Sequence, residues 1–253
     1  MEQPVTVRDG GISLSAVLET PGSGERLPLV ILLHGFSSAK NRIHTLQAAA
    51  AMREAGFATL RVDLYGHGES EGEFGKHTLY KWVSNTLAVM DHMRGLGYED
   101  IILSGHSQGG LTAALAGGMA PDRVRALVLR APAFMIPRCA REGNLLGYAF
   151  DPDRIPDEIP LYDGLVLDGN YLRTAQTVRA EDAVDRFKGP VLILQGEADD
   201  VVPPADVERT AARYADCELV LIKGETHHFD KHPDEMTERI RDFMRKLKKE
   251  ERA

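Results

Sequence analysis

Six short runs of almost unbroken apolar residues constrain this chain more than any other feature: LVILLH (29–34), FATLRV (57–62), IILS (101–104), RALVLRA (125–131), VLILQ (191–195) and ELVLI (218–222). A strand with one wet face alternates apolar and polar residues, whereas a strand covered on both faces reads as a continuous apolar run. Between these runs lie helical patterns at about 42–55, 78–94, 108–119, 205–214 and 233–248. Strands and helices in alternation imply an α/β architecture, a mostly parallel central sheet with helices on both faces. Ahead of them VTVRD and ISLSAVLE alternate in the two-residue period and flank Asp9-Gly10-Gly11, which predicts an antiparallel edge hairpin.

One region breaks the rhythm. Residues 132–180 carry five prolines and separate two of the buried runs, where connections in such folds usually take about 2 to 6 residues. The segment therefore reads as an inserted cap, with 1–131 and 181–253 forming the core. A cap at the carboxyl edge of a parallel sheet lies over the place where these folds bind ligands.

At the end of IILS, Gly105-His106-Ser107-Gln108-Gly109 matches G-x-S-x-G and opens the helix that begins near Gln108. Strand before and helix after are the context of a nucleophile elbow, whose glycines leave room for a strained turn. A serine hydroxyl needs a base to take its proton, and the base needs a third group to fix its tautomer. Both partners are offered at strand ends, in the order acid and then histidine: Asp199 and Asp200 follow VLILQ, and His227 and His228 follow ELVLI. Spacing alone does not choose within either pair. The Gln108 N–H, at a helix N-terminus, is placed to face a developing oxyanion.

Together, HGF (34–36), DLYGHGES (63–70), GHSQGG (105–110), YAFDPDRIPDEIPLYDG with NYLRTAQ, GEADDVVPP (196–204) and HHF (227–229) resemble the α/β-hydrolases, and among them the bacterial cinnamoyl (feruloyl) esterases. The resemblance covers nearly the whole chain. It implies the α/β-hydrolase fold with an inserted cap, and it selects Asp199 as the acid and His227 as the base. It also implies that the Phe36 N–H is the second oxyanion donor. The acyl group it implies is phenolic, such as ferulate, caffeate or p-coumarate, with Tyr171 of NYLRTAQ helping to bind the ring hydroxyls. Relatives that prefer dihydroxylated rings can place a carboxylate early in the cap, where this chain has Ile136-Pro137-Arg138-Cys139.

Other residues take plainer readings. His106 points away from the nucleophile as a packed histidine, Gly66-His67-Gly68 is a turn, and Asp63 precedes Ser107 and so stands in the wrong order for the acid. The net charge of -8, without a basic face, argues against nucleic acid as a partner. Cys139 and Cys217 are far apart and lack metal-binding spacing, and no cofactor or metal motif is present. No apolar run approaches a membrane span, so a cytoplasmic protein is expected, with a small-molecule ester as partner and a homodimer compatible with the sequence. Rivals to the feruloyl reading are a monoacylglycerol or short-chain carboxylesterase, a thioesterase and, behind these, a peptidase, and, from another class, a ligand-binding receptor that does not turn over.

Overall fold

The computed structural model describes residues 1–22 and 27–250. In chain order, β1 (Glu2–Asp9), β2 (Ile12–Glu19), β3 (Leu29–Leu33), α1 (Ile43–Glu54), β4 (Ala58–Val62), α2 (Leu79–Gly95), β5 (Ile101–His106), α3 (Gln108–Met119) and β6 (Ala126–Arg130) come first. Between β6 and α6 come α4 (Ile136–Glu142), the short strands β7 (Asn144–Leu145), β8 (Tyr148–Ala149), β9 (Glu158–Pro160) and β10 (Val166–Asp168), then α5 (Asn170–Thr177). The helix α6 (Ala180–Arg186) leads back to β11 (Val191–Gly196), α7 (Pro204–Ala211), β12 (Cys217–Ile222) and α8 (Pro233–Glu250).

Eight strands form one sheet in the order β1-β2-β4-β3-β5-β6-β11-β12. The pairs β1–β2 and β2–β4 are antiparallel, and each pairing from β4–β3 to β11–β12 is parallel. The edge hairpin closes where Asp9 pairs with Ile12, and Gly10 and Gly11 take φ of 57° and 89°, which a two-residue turn between right-twisted strands requires.

The apolar runs are continuous because each strand feeds two cores. In β3, Leu29, Ile31 and Leu33 enter one layer, while Val30 and Leu32 enter the other. β5 and β11 divide in the same way, Leu103 and Ile193 to the first layer, Ile102 and Leu192 to the second. The first layer is closed by α2 and α3, with Trp82 fully buried, and the second by α1 and α8. On α8 the buried residues are Met236, Ile240, Phe243, Met244 and Leu247, an apolar stripe at helical spacing.

The segment between β6 and β11 has structure that its prolines do not announce. β7 pairs with β8 and β9 with β10, each antiparallel and two or three residues long. On α5, Tyr171, Leu172 and Ala175 face inward, and the helix contacts α4 and α2. The helix α6 lies against α3 so closely that a Cβ on Gly118 would stand 2.2 Å from the Ala183 carbonyl oxygen.

Candidate active site

At the end of β5 the chain turns straight into α3 through Ser107, whose φ of 55° and ψ of -121° lie where side chains are strained. Such a conformation costs on the order of 1 to 3 kcal/mol and persists only when its surroundings impose it. Here they do. A Cβ on Gly105 would sit 2.1 Å from the Gly109 oxygen, and one on Gly109 would sit 2.3 Å from the His34 oxygen, so strand, turn and helix meet only through glycine. The Ser107 N–H is held by the Arg130 carbonyl at 2.9 Å.

Two further loops leave the same edge of the sheet. β11 and β12 are in register to their last residues, Gly196 opposite Ile222, so the turns after them start level. His227 Nδ1 donates to Asp199 Oδ2 at 2.9 Å, and that oxygen also accepts from Gln195 Nε2 at 2.9 Å. The other oxygen, Oδ1, accepts from the N–H groups of Val201 and Val202 at 2.9 and 2.8 Å. Burial pushes the Asp199 carboxyl upward, but the hydrogen bonds from His227, Val202 and Val201 outweigh it and hold the group below the usual carboxylate range. Of the two adjacent pairs, Asp199 and His227 are buried and bonded to each other, while Asp200 and His228 are exposed. With Nδ1 donating to Asp199, Nε2 is the ring nitrogen left to accept a proton. Ser107 and His227 line one cavity.

Phe36 and Gln108, whose N–H groups are the oxyanion donors expected from the sequence, both line that cavity from different elements. The Gln108 N–H opens α3, and neither it nor the Phe36 N–H has a protein partner among the described residues. The Phe36 loop is fixed by His34, the first residue of HGF, to which sequence spacing assigns no role. Its Nδ1 donates to the Gly35 oxygen at 2.8 Å, and its Nε2 accepts from the Leu64 N–H at 3.0 Å. Burial, with His67 beside it, lowers the His34 pKa to about 4, so the ring stays neutral and keeps this tautomer. Lys40, farther along the same loop, is also fixed: its N–H donates to Asp63 Oδ1 at 2.6 Å and its ammonium pairs with Asp63 Oδ2 at 2.5 Å, both side chains being buried. Asp63 is thus a loop anchor.

The cavity has a volume of about 1020 Å³ and takes its apolar wall from Phe36, Met135, Ile136, Leu145 and Tyr171. Tyr171 is 1% exposed, and its hydroxyl donates to Gln108 Oε1 at 2.6 Å. Burial pushes the phenol well above its usual range, so it remains a neutral donor that still offers lone pairs. Arg138, within the 136–139 stretch, turns to Asp206 and Glu142 at 2.7 Å each. Among the described residues no group of three or more His, Cys, Asp or Glu side chains is placed to hold a metal, and no helix is long and apolar enough to cross a membrane.

A family model described as serine aminopeptidase, S33, matches residues 24–148, and one described as TAP-like protein matches residues 170–252. The solved structure of Est1E from Butyrivibrio proteoclasticus with ferulic acid bound superposes with a TM-score of 0.93. It is 45% identical, over 95% of this chain and 97% of that one. The human mitochondrial palmitoyl-protein thioesterase ABHD10 is 25% identical over 82% of this chain and 69% of its own length. An acetyltransferase component of the Pseudomonas putida acetoin cleaving system is 35% identical over 111 residues. The chain spans only 28 to 47% of the length of that protein and two other curated relatives that it matches.

Proposed function

Because the chain belongs to the serine hydrolases of the α/β-hydrolase superfamily and resembles the cinnamoyl (feruloyl) esterases, we propose that it hydrolyses carboxylic esters of hydroxycinnamic acids through an acyl-enzyme. The observation that carries this reading is the 2.9 Å bond to Asp199 from His227, which lines the same cavity as the strained Ser107.

In this reading Ser107 Oγ attacks the ester carbonyl carbon while His227 Nε2 takes the hydroxyl proton. Negative charge gathers on the carbonyl oxygen, which the Gln108 and Phe36 N–H groups face; losing one such donor typically costs about 2.7 to 4 kcal/mol. The tetrahedral centre collapses, the bond to the alcohol oxygen breaks, and His227 returns the proton to that oxygen. A water then gives its proton to the same nitrogen, attacks the acyl-Ser107 carbonyl and releases the acid and the free serine. Asp199 holds the imidazole in the tautomer this sequence needs.

Residues 132–180 serve as the cap over a core of 1–131 and 181–253, and the aromatic ring lies under it against Tyr171. The Tyr171 hydroxyl, donating to Gln108, has a lone pair free to accept from a ring hydroxyl. With no cap carboxylate at 136–139, selection among ring hydroxylation patterns is weaker than the roughly 10⁴-fold or more that a buried hydroxyl partner can impose.

Ser107→Ala should lower kcat on methyl ferulate by a factor on the order of 10⁶, while near-wild-type turnover by that variant would overturn the assignment. A panel of methyl ferulate, p-nitrophenyl butyrate, a monoacylglycerol and an acyl-CoA should give the highest kcat/KM on methyl ferulate. A thioesterase is the second reading, supported by the alignment of 82% of the chain with a palmitoyl-protein thioesterase; preference for the acyl-CoA would favour it.

A further inference from the structure

We propose that His106 is a positioning residue of this site: by donating its Nε2–H to the His227 carbonyl, it ties the nucleophile elbow to the turn that carries the base. The inference rests on the serine hydrolase reading above and adds to it a residue that neither the motif nor the triad order assigns.

His106 ends β5, immediately before Ser107, and is 2% exposed. Its Nε2 stands 2.8 Å from the carbonyl oxygen of His227, a residue 121 positions later in the chain. A carbonyl oxygen can only accept, so Nε2 carries the proton and Nδ1 is the bare nitrogen. Nδ1 lies under the oxyanion turn, where a Cβ on Gly35 would come within 3.1 Å of it. One ring therefore touches the elbow, the oxyanion turn and the base turn at once.

The ring does not act as a second base. Burial, with the neighbouring His44, His227 and the Arg130 guanidinium, holds it well below the ordinary histidine range. Arg130 is fully buried, lies opposite His106 in the β5–β6 register and donates to the His44 carbonyl at 2.9 Å. The His44 ring is 4.4 Å from that of His106, and the His227 ring is 4.8 Å away.

What else holds the base turn explains why the contact matters. The buried Glu225 braces its flanks, with Oε1 accepting from the Thr226 N–H at 2.6 Å and Oε2 from the His232 N–H at 2.6 Å. Those bonds lie on either side of His227. At His227 itself, the side-chain bonds among the described residues are Asp199 to the imidazole and His106 to the carbonyl. Asp199 fixes the ring's tautomer and tilt, but a ring on a mobile backbone can follow its carboxylate away from Ser107. His106 removes that freedom by referencing the His227 backbone to the residue next to the nucleophile.

The test compares His106→Leu, His106→Gln and His106→Asn in the full chain, with methyl ferulate kinetics and thermal unfolding. Glutamine places an amide N–H near the position of Nε2, asparagine falls short of it, and leucine has no donor. Because a misplacement of about 1 Å can cost on the order of 10²-fold, His106→Leu is expected to lower kcat by roughly 10- to 100-fold with KM within about two-fold of wild type. His106→Gln should recover kcat to within a few-fold, and His106→Asn should not. If His106→Leu does not fold, the glutamine-asparagine pair carries the comparison alone. Equal kcat in folded glutamine and asparagine variants, wild-type kcat in folded His106→Leu, or a loss confined to KM would overturn the proposal. A Ser107→Ala variant assayed beside them separates the two levels. Activity retained there sinks the hydrolase reading, whereas a dead Ser107→Ala with an undiminished His106→Leu sinks only the role of His106.

Discussion

Replacing Asp199 by Asn exchanges one carboxylate oxygen for an amide nitrogen and leaves the shape nearly unchanged. Oδ1 accepts from two backbone N–H groups, Val201 and Val202, so the amide oxygen must occupy that side. The amide nitrogen then faces Gln195 Nε2 and His227 Nδ1, two donors that the carboxylate oxygen had satisfied at 2.9 Å each. His227 can meet an N–H only by accepting at Nδ1, which moves its proton to Nε2, the nitrogen that takes the Ser107 proton in the proposed mechanism. The same change in a serine protease triad lowers kcat about 10⁴-fold, close to 5.5 kcal/mol of transition-state stabilisation. Asp199→Asn is therefore expected to lose kcat on methyl ferulate by about 10⁴-fold with little change in KM. The stability difference carries a sign as well. Because the folded-state pKa of Asp199 is depressed, its contribution is present above the unfolded value of about 3.9 and is lost as pH falls through the lower folded value. Wild type should thus unfold at higher temperature than Asp199→Asn at neutral pH, with the gap narrowing in acid. An Asn variant that keeps more than about a tenth of wild-type kcat would refute the tautomer argument.

Two further outcomes follow from the packing around the site. Lys40→Met leaves the buried Asp63 carboxylate without its ammonium and should destabilise the fold by about 3 to 5 kcal/mol in denaturant titration. Adding Asp63→Asn should recover only part of the loss, because both carboxylate oxygens accept backbone N–H groups, Lys40 at Oδ1 and Glu69 at Oδ2, and an amide nitrogen cannot. Tyr171→Phe strips the donor from Gln108 Oε1, at a cost of about 1 to 3 kcal/mol in thermal unfolding. If the hydroxyl also meets substrate, the same variant raises KM for methyl ferulate and leaves KM for methyl cinnamate, which has no ring hydroxyl, unchanged.

How much of this was legible in the sequence depends on the distance over which each feature is determined. The buried strands were readable because residues such as Leu29 to Leu33 have apolar neighbours on both faces, and the Ser107 turn because its constraint is local, glycines two residues either side of the serine. The choice between Asp199 and Asp200, or His227 and His228, was not fixed by spacing. Adjacent residues on a turn point in different directions, and only the packed loops decide which pair meets. Within residues 132–180, strands of two or three residues and helices of seven or eight are too short for a period to emerge, and they take their form from what they pack on. The His106 contact left no sequence signal, since its partner is a backbone carbonyl 121 residues away and any residue there would supply one.

That long separation also has a consequence in time. At roughly 5 to 20 residues per second, a chain emerging from the ribosome presents its elbow about 6 to 24 s before the segment bearing His227 exists. Throughout that interval the pocket lacks the wall that runs from Asp200 to Pro233, and on the proposed mechanism Ser107 has no base. In the proposed mechanism the site is complete only once β12, the last strand in the sheet order, and the turn that carries His227 have docked.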